Sequence, residues 1–245
     1  PTLAPLSQHL RDTATAHPRV VAQRELVDEV WQEWTYAEFA ERCRGLAAHL
    51  VAAGLAAGDR VAIVSPNCPA WSVVDYGAMS AGASVVPVHL ASSTEQKTYV
   101  LRHSQAQVVA VLGDEELARV AGLLADEGVR QVIAIECSQD ARESAARVLG
   151  AEVVDLEEAI SAGHAAPAST HDEVAHRIDS ADLDALATLL LAASLGAGAG
   201  SARSPGVSVS RTTMSPVSQC LPTTRHNTAD LCDRRFASTA EYSAA

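Results

Sequence analysis

The sequence has a single lysine, Lys97, among its 245 residues, and aromatic residues make up only 4%. No apolar run approaches the roughly 20 residues that span a bilayer, and the first five residues lack the basic and then apolar layout of a signal peptide. The five cysteines are scattered and never form a CxxC pair, which argues against a disulfide framework. These absences predict free thiols and a cytoplasmic protein without a transmembrane segment.

The charge balance is acidic, with 18 basic against 30 acidic residues and a net charge of −12. Such a surface repels phosphate backbones and anionic lipid, so nucleic acid and membrane surfaces are not expected as partners. A small anionic ligand stays possible, because the N-terminus of a helix binds anions whatever the net charge of the chain.

The first 60 residues show the signals of a helix, a hairpin and a second helix. Apolar residues at helical spacing predict a helix over 6–17, and two short strands over 19–22 and 29–34 predict a hairpin. Thr35 and Glu38 form a capping box before an apolar stripe, and Gly54 is placed to end that second helix.

From residue 60 onward, short apolar strands alternate with amphipathic helices. We predict strands over 60–64, 83–88, 108–112, 129–135 and 153–156, and helices over 69–81, 94–103 and 115–127. This alternation predicts an α/β fold in which a parallel sheet is covered by helices on both faces.

The composition changes near residue 190. Residues 1–190 carry 13 basic and 27 acidic groups, whereas residues 191–245 carry five and three and include 15 serines and threonines. We therefore predict two parts, an α/β domain over 1–190 and a low-complexity tail over 191–245. The tail is expected to be disordered, or to result from a reading-frame shift near codon 190.

Two patterns that suggest ligand sites do not meet the requirements of those sites. The glycines at 196, 198 and 200 would need a further glycine where Ser201 or Arg203 stands, so a flexible linker is favoured over a phosphate loop. His171 and His176, with Glu173 between them, are five residues apart and do not share a helix face, so surface polarity is favoured over a metal site.

Cys68 is the one cysteine whose place in the sequence suggests a reactive thiol. Cys68 stands just before a predicted helix start, where the helix dipole activates a thiolate. A half-buried structural cysteine is the favoured interpretation. With no GxSxG elbow in the sequence either, no catalytic, cofactor-binding or metal-binding residue is assigned.

Several separated segments together resemble the opening of an AMP-forming acyl-CoA synthetase. The segments are 34–39 (WTYAEF), 54–63 (GLAAGDRVAI), 67–71 (NCPAW), 82–88 (GASVVPV) and 92–96 (SSTEQ). The last of these is similar to the bacterial long-chain fatty-acid branch. The resemblance covers 31–112 closely and extends more loosely to Leu190.

The resemblance implies a two-step reaction in the intact family. ATP and a fatty acid give an acyl-adenylate and pyrophosphate, and coenzyme A then takes the acyl group. The family uses a glycine- and serine/threonine-rich phosphate loop, Mg²⁺ and a lysine near its C-terminus. Here that loop is replaced after Leu190 by LAASLG, and Lys97 lies in the wrong region, so none of the family's catalytic residues is carried over.

The expected function is therefore that of a truncated long-chain fatty-acid–CoA ligase, inactive as written and binding no cofactor itself. Two other interpretations stay open. A non-catalytic α/β binding or regulatory module would also suit the fold, as would a dinucleotide-dependent oxidoreductase, although the glycine fingerprint of the latter is missing. Relatives that adenylate aryl or amino acids share the same opening segments.

Overall fold

The computed structural model describes residues 4–125, 127–183 and 187–189. In chain order the helices and strands are α1 (Leu6–Ala16), β1 (Val21–Val27), β2 (Val30–Thr35), α2 (Tyr36–Ala52), β3 (Arg60–Val64), α3 (Pro69–Ser80), β4 (Ser84–Pro87), α4 (Thr94–Ser104), β5 (Val108–Leu112), α5 (Asp114–Leu124), β6 (Gln131–Ile135), α6 (Gln139–Leu149), β7 (Glu152–Asp155), α7 (Leu156–His164) and α8 (Ala168–Asp179).

The main sheet has five parallel strands in the order β4-β3-β5-β6-β7, and β1 and β2 form a separate antiparallel hairpin. Beyond β4, Thr188 makes a parallel bridge with Val85, fixed by hydrogen bonds from Val85 N to Ala187 O (2.9 Å) and from Leu189 N to Val85 O (2.8 Å). Residues 187–189 therefore extend the sheet by one short segment that runs in the same direction as its strands.

Helices cover both faces of this sheet, as the alternation predicts. Alternate strand residues point to opposite faces, so each face has its own apolar core. One core joins the strands to α1, α2, α3, α7 and α8 through residues that include Val61, Ile63, Val85, Leu46 and Val174. The other joins them to α4, α5 and α6 through residues that include Ala62, Val64, Val109, Leu117 and Ala145.

The predicted elements agree with the structure within a few residues, except that the first hairpin strand is longer, ending at Val27. The capping box of Thr35 and Glu38 is present, and Gly54 follows α2 with a φ of 84°. Helices α6, α7 and α8 were given no predicted bounds. The face that α6 turns to the core, formed by Ala141, Ala145 and Leu149, is mostly alanine, so its apolar stripe is a weak signal in the sequence.

Helices α2 and α7 pack very closely against each other where Gly45 of α2 meets Gly163 of α7. A Cβ added to Gly163 would lie 1.8 Å from the carbonyl oxygen of Gly45, and one added to Gly45 would lie 2.7 Å from Nε2 of His164. Neither position has room for a side chain. This crossing holds α7 against α2 on one face of the sheet.

Arginines close the amino edge of the sheet, where the helices end and the strands begin. Arg60 donates to Ser104 O (2.9 Å) at the end of α4, and Arg130 donates to Gly54 O (2.8 Å) after α2. Arg177 donates from Nη1 to Ala81 O, after α3, and to Leu55 O, both at 2.8 Å. Each guanidinium therefore bonds carbonyls at or just beyond the C-terminus of a helix, where the helix dipole is negative.

The buried amide of Gln131 joins the same edge to α2 and β7. Its Oε1 lies 3.0 Å from His49 Nε2, and its Nε2 donates to Glu152 at 2.6 Å. The predicted boundary at residue 190, the tail over 191–245 and its glycine-rich stretch lie outside the described residues.

Candidate functional site: the carboxyl edge of the sheet

The connections of the strands diverge at the carboxyl edge. From β3 the chain passes through α3 to β4 on one side, and from β4 it passes through α4 to β5 on the other side of β3. Helices α3 and α4 consequently lie on opposite faces. In open parallel sheets a crevice forms at such a reversal, beyond the carboxyl ends of the strands, and ligands bind there. The loops after β3 and β5 border this crevice.

The thiol of Cys68 caps helix α3 at this edge. Its Sγ accepts a hydrogen bond from Trp71 N at 3.4 Å and lies 3.8 Å from Ser65 Oγ. The residue is half-buried and its thiol is free. The structure thus supports the structural interpretation of Cys68, because the side chain satisfies one of the unpaired N–H groups of the helix.

Asp114 links the loops that follow β5 and β6. Its carboxylate accepts hydrogen bonds from Ser138 N and Ser138 Oγ, both at 2.7 Å. The hydroxyl bond and the backbone bond to Ser138 lower the pKa of Asp114, because both stabilise the charged carboxylate. Next to Ser138, partial burial raises the pKa of the Cys137 thiol to about 11, so this thiol stays protonated at neutral pH.

A cavity of about 370 Å³ lies between the hairpin and the carboxyl edge. Its apolar wall includes Trp34, Phe39 and Ile135, and its polar wall includes Glu136 and Asp155. Glu136 has a φ of 50°, which is unusual for a residue other than glycine. The cavity has the size and the mixed lining of a small-molecule site.

An ion pair across the cavity fixes the start of α7 to α2. Arg42 donates to both carboxylate oxygens of Glu157, with 2.9 Å between Nη1 and Oε2. The two residues are 115 positions apart, and no sequence pattern pairs them. The position of Glu136 in the cavity wall was likewise not predicted, since a residue type does not reveal the backbone conformation it adopts.

The single lysine is buried near the same edge. Lys97 Nζ lies 2.7 Å from Glu116 Oε1, and the side chain of Lys97 is only 4% exposed. Glu116 also binds Arg119 at 2.6 Å. Lys97 therefore joins α4 to α5 and does not face the crevice as a free ammonium group.

The acidic and histidine residues of α8 form no metal site. Glu173 pairs with Arg177 at 2.7 Å, which lowers the pKa of Glu173. No group of three or more histidine, cysteine or acidic residues suited to a metal ion occurs within the part of the chain that the structure describes. Over the same residues, no helix is long and apolar enough to cross a membrane.

The fold and this edge define a class, namely α/β proteins with a switch-point crevice at the carboxyl ends of a parallel sheet. Comparison with known proteins identifies the family within that class. Residues 10–192 match the profile of the AMP-binding enzymes. Because the match covers most of the chain, the protein belongs to the AMP-binding enzyme family, as the resemblance predicts.

Two curated relatives are long-chain-fatty-acid–CoA ligases. FadD15 of Mycobacterium bovis is 37% identical over 116 residues, which are 47% of this chain and 19% of FadD15. FadD13 of Mycobacterium tuberculosis is 36% identical over 103 residues, which are 41% of this chain and 20% of FadD13. The chain thus matches about a fifth of the length of these relatives.

A solved structure shows the same fold. The A-PCP didomain of carboxylic acid reductase from Segniliparus rugosus, in complex with AMP, aligns with a TM-score of 0.59 and 19% sequence identity. The alignment covers 68% of this chain and 27% of that one. The described α/β architecture therefore shares the fold of about a quarter of that didomain.

Proposed function

We propose that this chain is the N-terminal part of a long-chain fatty-acid–CoA ligase and that, by itself, it forms no acyl-adenylate. The observation that carries the first half is the 37% identity to a curated long-chain-fatty-acid–CoA ligase over 116 residues. The proposed inactivity rests on the sequence that follows Leu189 and on the buried position of Lys97. In the intact family the ligands are ATP, Mg²⁺, coenzyme A and a fatty acid.

The chain reaches the place where the phosphate loop of the family would begin. Residues 187–189 pair in parallel with β4, so the chain leaves Leu189 in the direction of the carboxyl edge and its crevice. A glycine-rich loop at that point would present backbone N–H groups to phosphate oxygens. The sequence after Leu190 reads LAASLGAGAGS, and its three glycines, at 196, 198 and 200, stand at other positions than the three glycines of the family pattern.

The catalytic lysine of the family also has no counterpart. Lys97 is the only lysine of the chain and is held by Glu116 in a buried pair. Exposing its ammonium group would break that buried pair and leave Glu116 with Arg119 as its partner. The residues present do not fit ATP and Mg²⁺ as a complete site, and no catalytic step is assigned to them.

The proposal is tested by palmitate-dependent exchange of pyrophosphate into ATP. We expect the purified 245-residue chain to show no exchange above background. A chimera that continues after Leu190 with the corresponding part of a FadD15 ligase should show exchange. Exchange by the unmodified chain would refute the proposed inactivity. A folded chimera without exchange would refute the assignment to the ligases, and circular dichroism establishes whether it has folded.

The acidic charge and the free thiols at Cys43, Cys68 and Cys137 support a cytoplasmic location within this proposal. The family match does not favour the non-catalytic module. Binding of NAD(P), the property of the oxidoreductase alternative, is checked directly by calorimetry with the same preparation, in which we expect no heat of binding.

A further inference from the structure

The hairpin of β1 and β2 has two faces with different surroundings, because successive residues of a strand point to opposite sides. One face lines the cavity at the carboxyl edge with Gln23, Glu25, Val27, Gln32 and Trp34. The other face, which we call the outer face of the hairpin, consists of Arg24, Leu26, Trp31 and Glu33. The hairpin thus turns only one of its sides toward the body of the protein.

The outer face of the hairpin is exposed, and its apolar residues are neighbours. Trp31 is 54% exposed and Leu26 is 38% exposed, and the two stand opposite each other across the strands. The guanidinium of Arg24 lies 4.7 Å from the centroid of the Trp31 ring. Contiguous exposed apolar side chains are typical of interaction surfaces, in which tryptophan and arginine contribute most to affinity. A two-stranded hairpin is also marginally stable without further packing.

The charges of the outer face are complementary to those of a second copy of the same face. Arg24 stands opposite Glu33 across the strands, yet neither forms an ion pair with any residue that the structure describes. A two-fold axis that runs parallel to the strands, above the midline of the hairpin, places each residue of β1 over the cross-strand partner of its counterpart. Arg24 then faces Glu33 of the other copy, and Leu26 faces its Trp31.

From these observations we infer that the outer face of the hairpin is a docking surface for a second copy of this chain. The contact is isologous, since both copies use the same patch, and it makes two Arg24–Glu33 ion pairs beside two Leu26–Trp31 contacts. A different protein would need these groups in the same arrangement, whereas a second copy supplies them by symmetry.

The size of the outer face sets the strength of this association. The two strands have only seven and six residues, so the interface belongs to the low end of the size range and the dimer is a reversible one. The contact lies on the opposite side of the hairpin from the cavity. It does not depend on the proposed ligase function.

The first test is sedimentation velocity of the full 245-residue chain over a range of concentrations. We expect a reversible monomer–dimer equilibrium whose dissociation constant rises about tenfold or more in Trp31→Ser, because the largest apolar group of the contact is lost. Val148→Ser is the matched control, since Val148 is 50% exposed on α6 at the opposite face of the sheet. A chain that stays monomeric at every concentration, or an unchanged dissociation constant in Trp31→Ser, would overturn the inference.

The second test exchanges the charges, and it separates the hairpin from any other apolar surface of the chain. Arg24→Glu places carboxylates opposite one another in the dimer, and Glu33→Arg places guanidiniums opposite one another. Each variant alone should therefore dimerise about tenfold more weakly than the unmodified chain. An equimolar mixture of the two should dimerise as the unmodified chain does, because each carboxylate of the first variant then faces a guanidinium of the second.

Circular dichroism establishes that both charge variants are folded before they are mixed. Folded variants that remain monomeric in the mixture would show that the outer face does not form the contact. Dimerisation of either variant alone with the affinity of the unmodified chain would place the contact on another surface, and it would equally overturn the inference.

Discussion

The two edges of the parallel sheet differ in how their polar groups are satisfied. At the amino edge, Arg60, Arg130 and Arg177 donate to carbonyls at the ends of α4, α2 and α3. At the carboxyl edge, a short side chain such as Cys68 or Ser138 caps the helix that it precedes and leaves a cavity above it. At the amino edge long side chains bond the helix ends directly, whereas at the carboxyl edge the cap of Cys68 leaves room for the cavity that it lines.

This difference matches the division of roles in open α/β folds, whose ligands bind at the carboxyl ends of the strands. Substitutions on the amino side should act on stability, because the groups there are bonded within the chain. Substitutions on the carboxyl side should cost less, because the local caps are individually weak. The predictions below test this difference, from the largest expected effect to the smallest.

The largest effect is expected where α2 and α7 cross. Gly163→Ala places a methyl group 1.8 Å from Gly45 O, so the helices must separate, and we expect the free energy of unfolding to fall by about 4 kcal/mol. Urea unfolding gives this value. Gly122→Ala in α5 is the matched control. Nothing lies within 4 Å of its added Cβ, so it should stabilise the protein by up to about 1 kcal/mol. A similar loss in both variants would contradict the proposed crowding.

At the amino edge itself, Arg177→Ala should lower the free energy of unfolding by about 3 kcal/mol. It removes the hydrogen bonds to Leu55 O and Ala81 O and the ion pair with Glu173. Arg147→Ala in α6 serves as the control, since Arg147 is exposed and has no hydrogen bond or ion pair with any described residue. An equal, small effect of both substitutions would show that the amino edge is not held by its arginines.

A pH-dependent effect is expected from α3, the helix that runs from the carboxyl edge to the amino edge. Burial raises the pKa of Asp75 to about 6. The unfolded chain has a pKa of about 3.9 at this residue, so the folded protein binds the proton more tightly. Stability attributable to Asp75 therefore decreases as the pH rises from about 4 to about 6 and stays low above that range.

Asp75→Asn should remove this pH dependence, because the amide carries no charge. We expect the free energy of unfolding at neutral pH to rise by about 2 kcal/mol, measured by urea unfolding across the pH range. Asp172→Asn, at an exposed position of α8, is the control. If the wild-type chain lost stability toward acid more steeply than Asp75→Asn, the effect would be opposite in sign to the expected one and the prediction would be wrong.

Much of the fold could be predicted from the sequence, because its signals are local. The capping box at Thr35 and the apolar run over 60–64 each identify an element without reference to the rest of the chain. The functional features depend on pairs far apart in sequence. Arg42 meets Glu157 across the cavity at the carboxyl edge, although the two residues are 115 positions apart. Periodicity and spacing do not encode such a pair, so this cavity was not predicted.

The smallest effect is expected at the carboxyl edge. Ser138→Ala removes the cap on Ala141 N and the hydroxyl bond to Asp114, and should lower the free energy of unfolding by about 1 kcal/mol. Ser144→Ala, at an exposed position within the same helix, should be neutral or slightly stabilising, because alanine favours a helix interior. If Ser138→Ala costs as much as Arg177→Ala, the carboxyl edge is closed as tightly as the amino edge. The crevice would then be a less suitable place for a ligand.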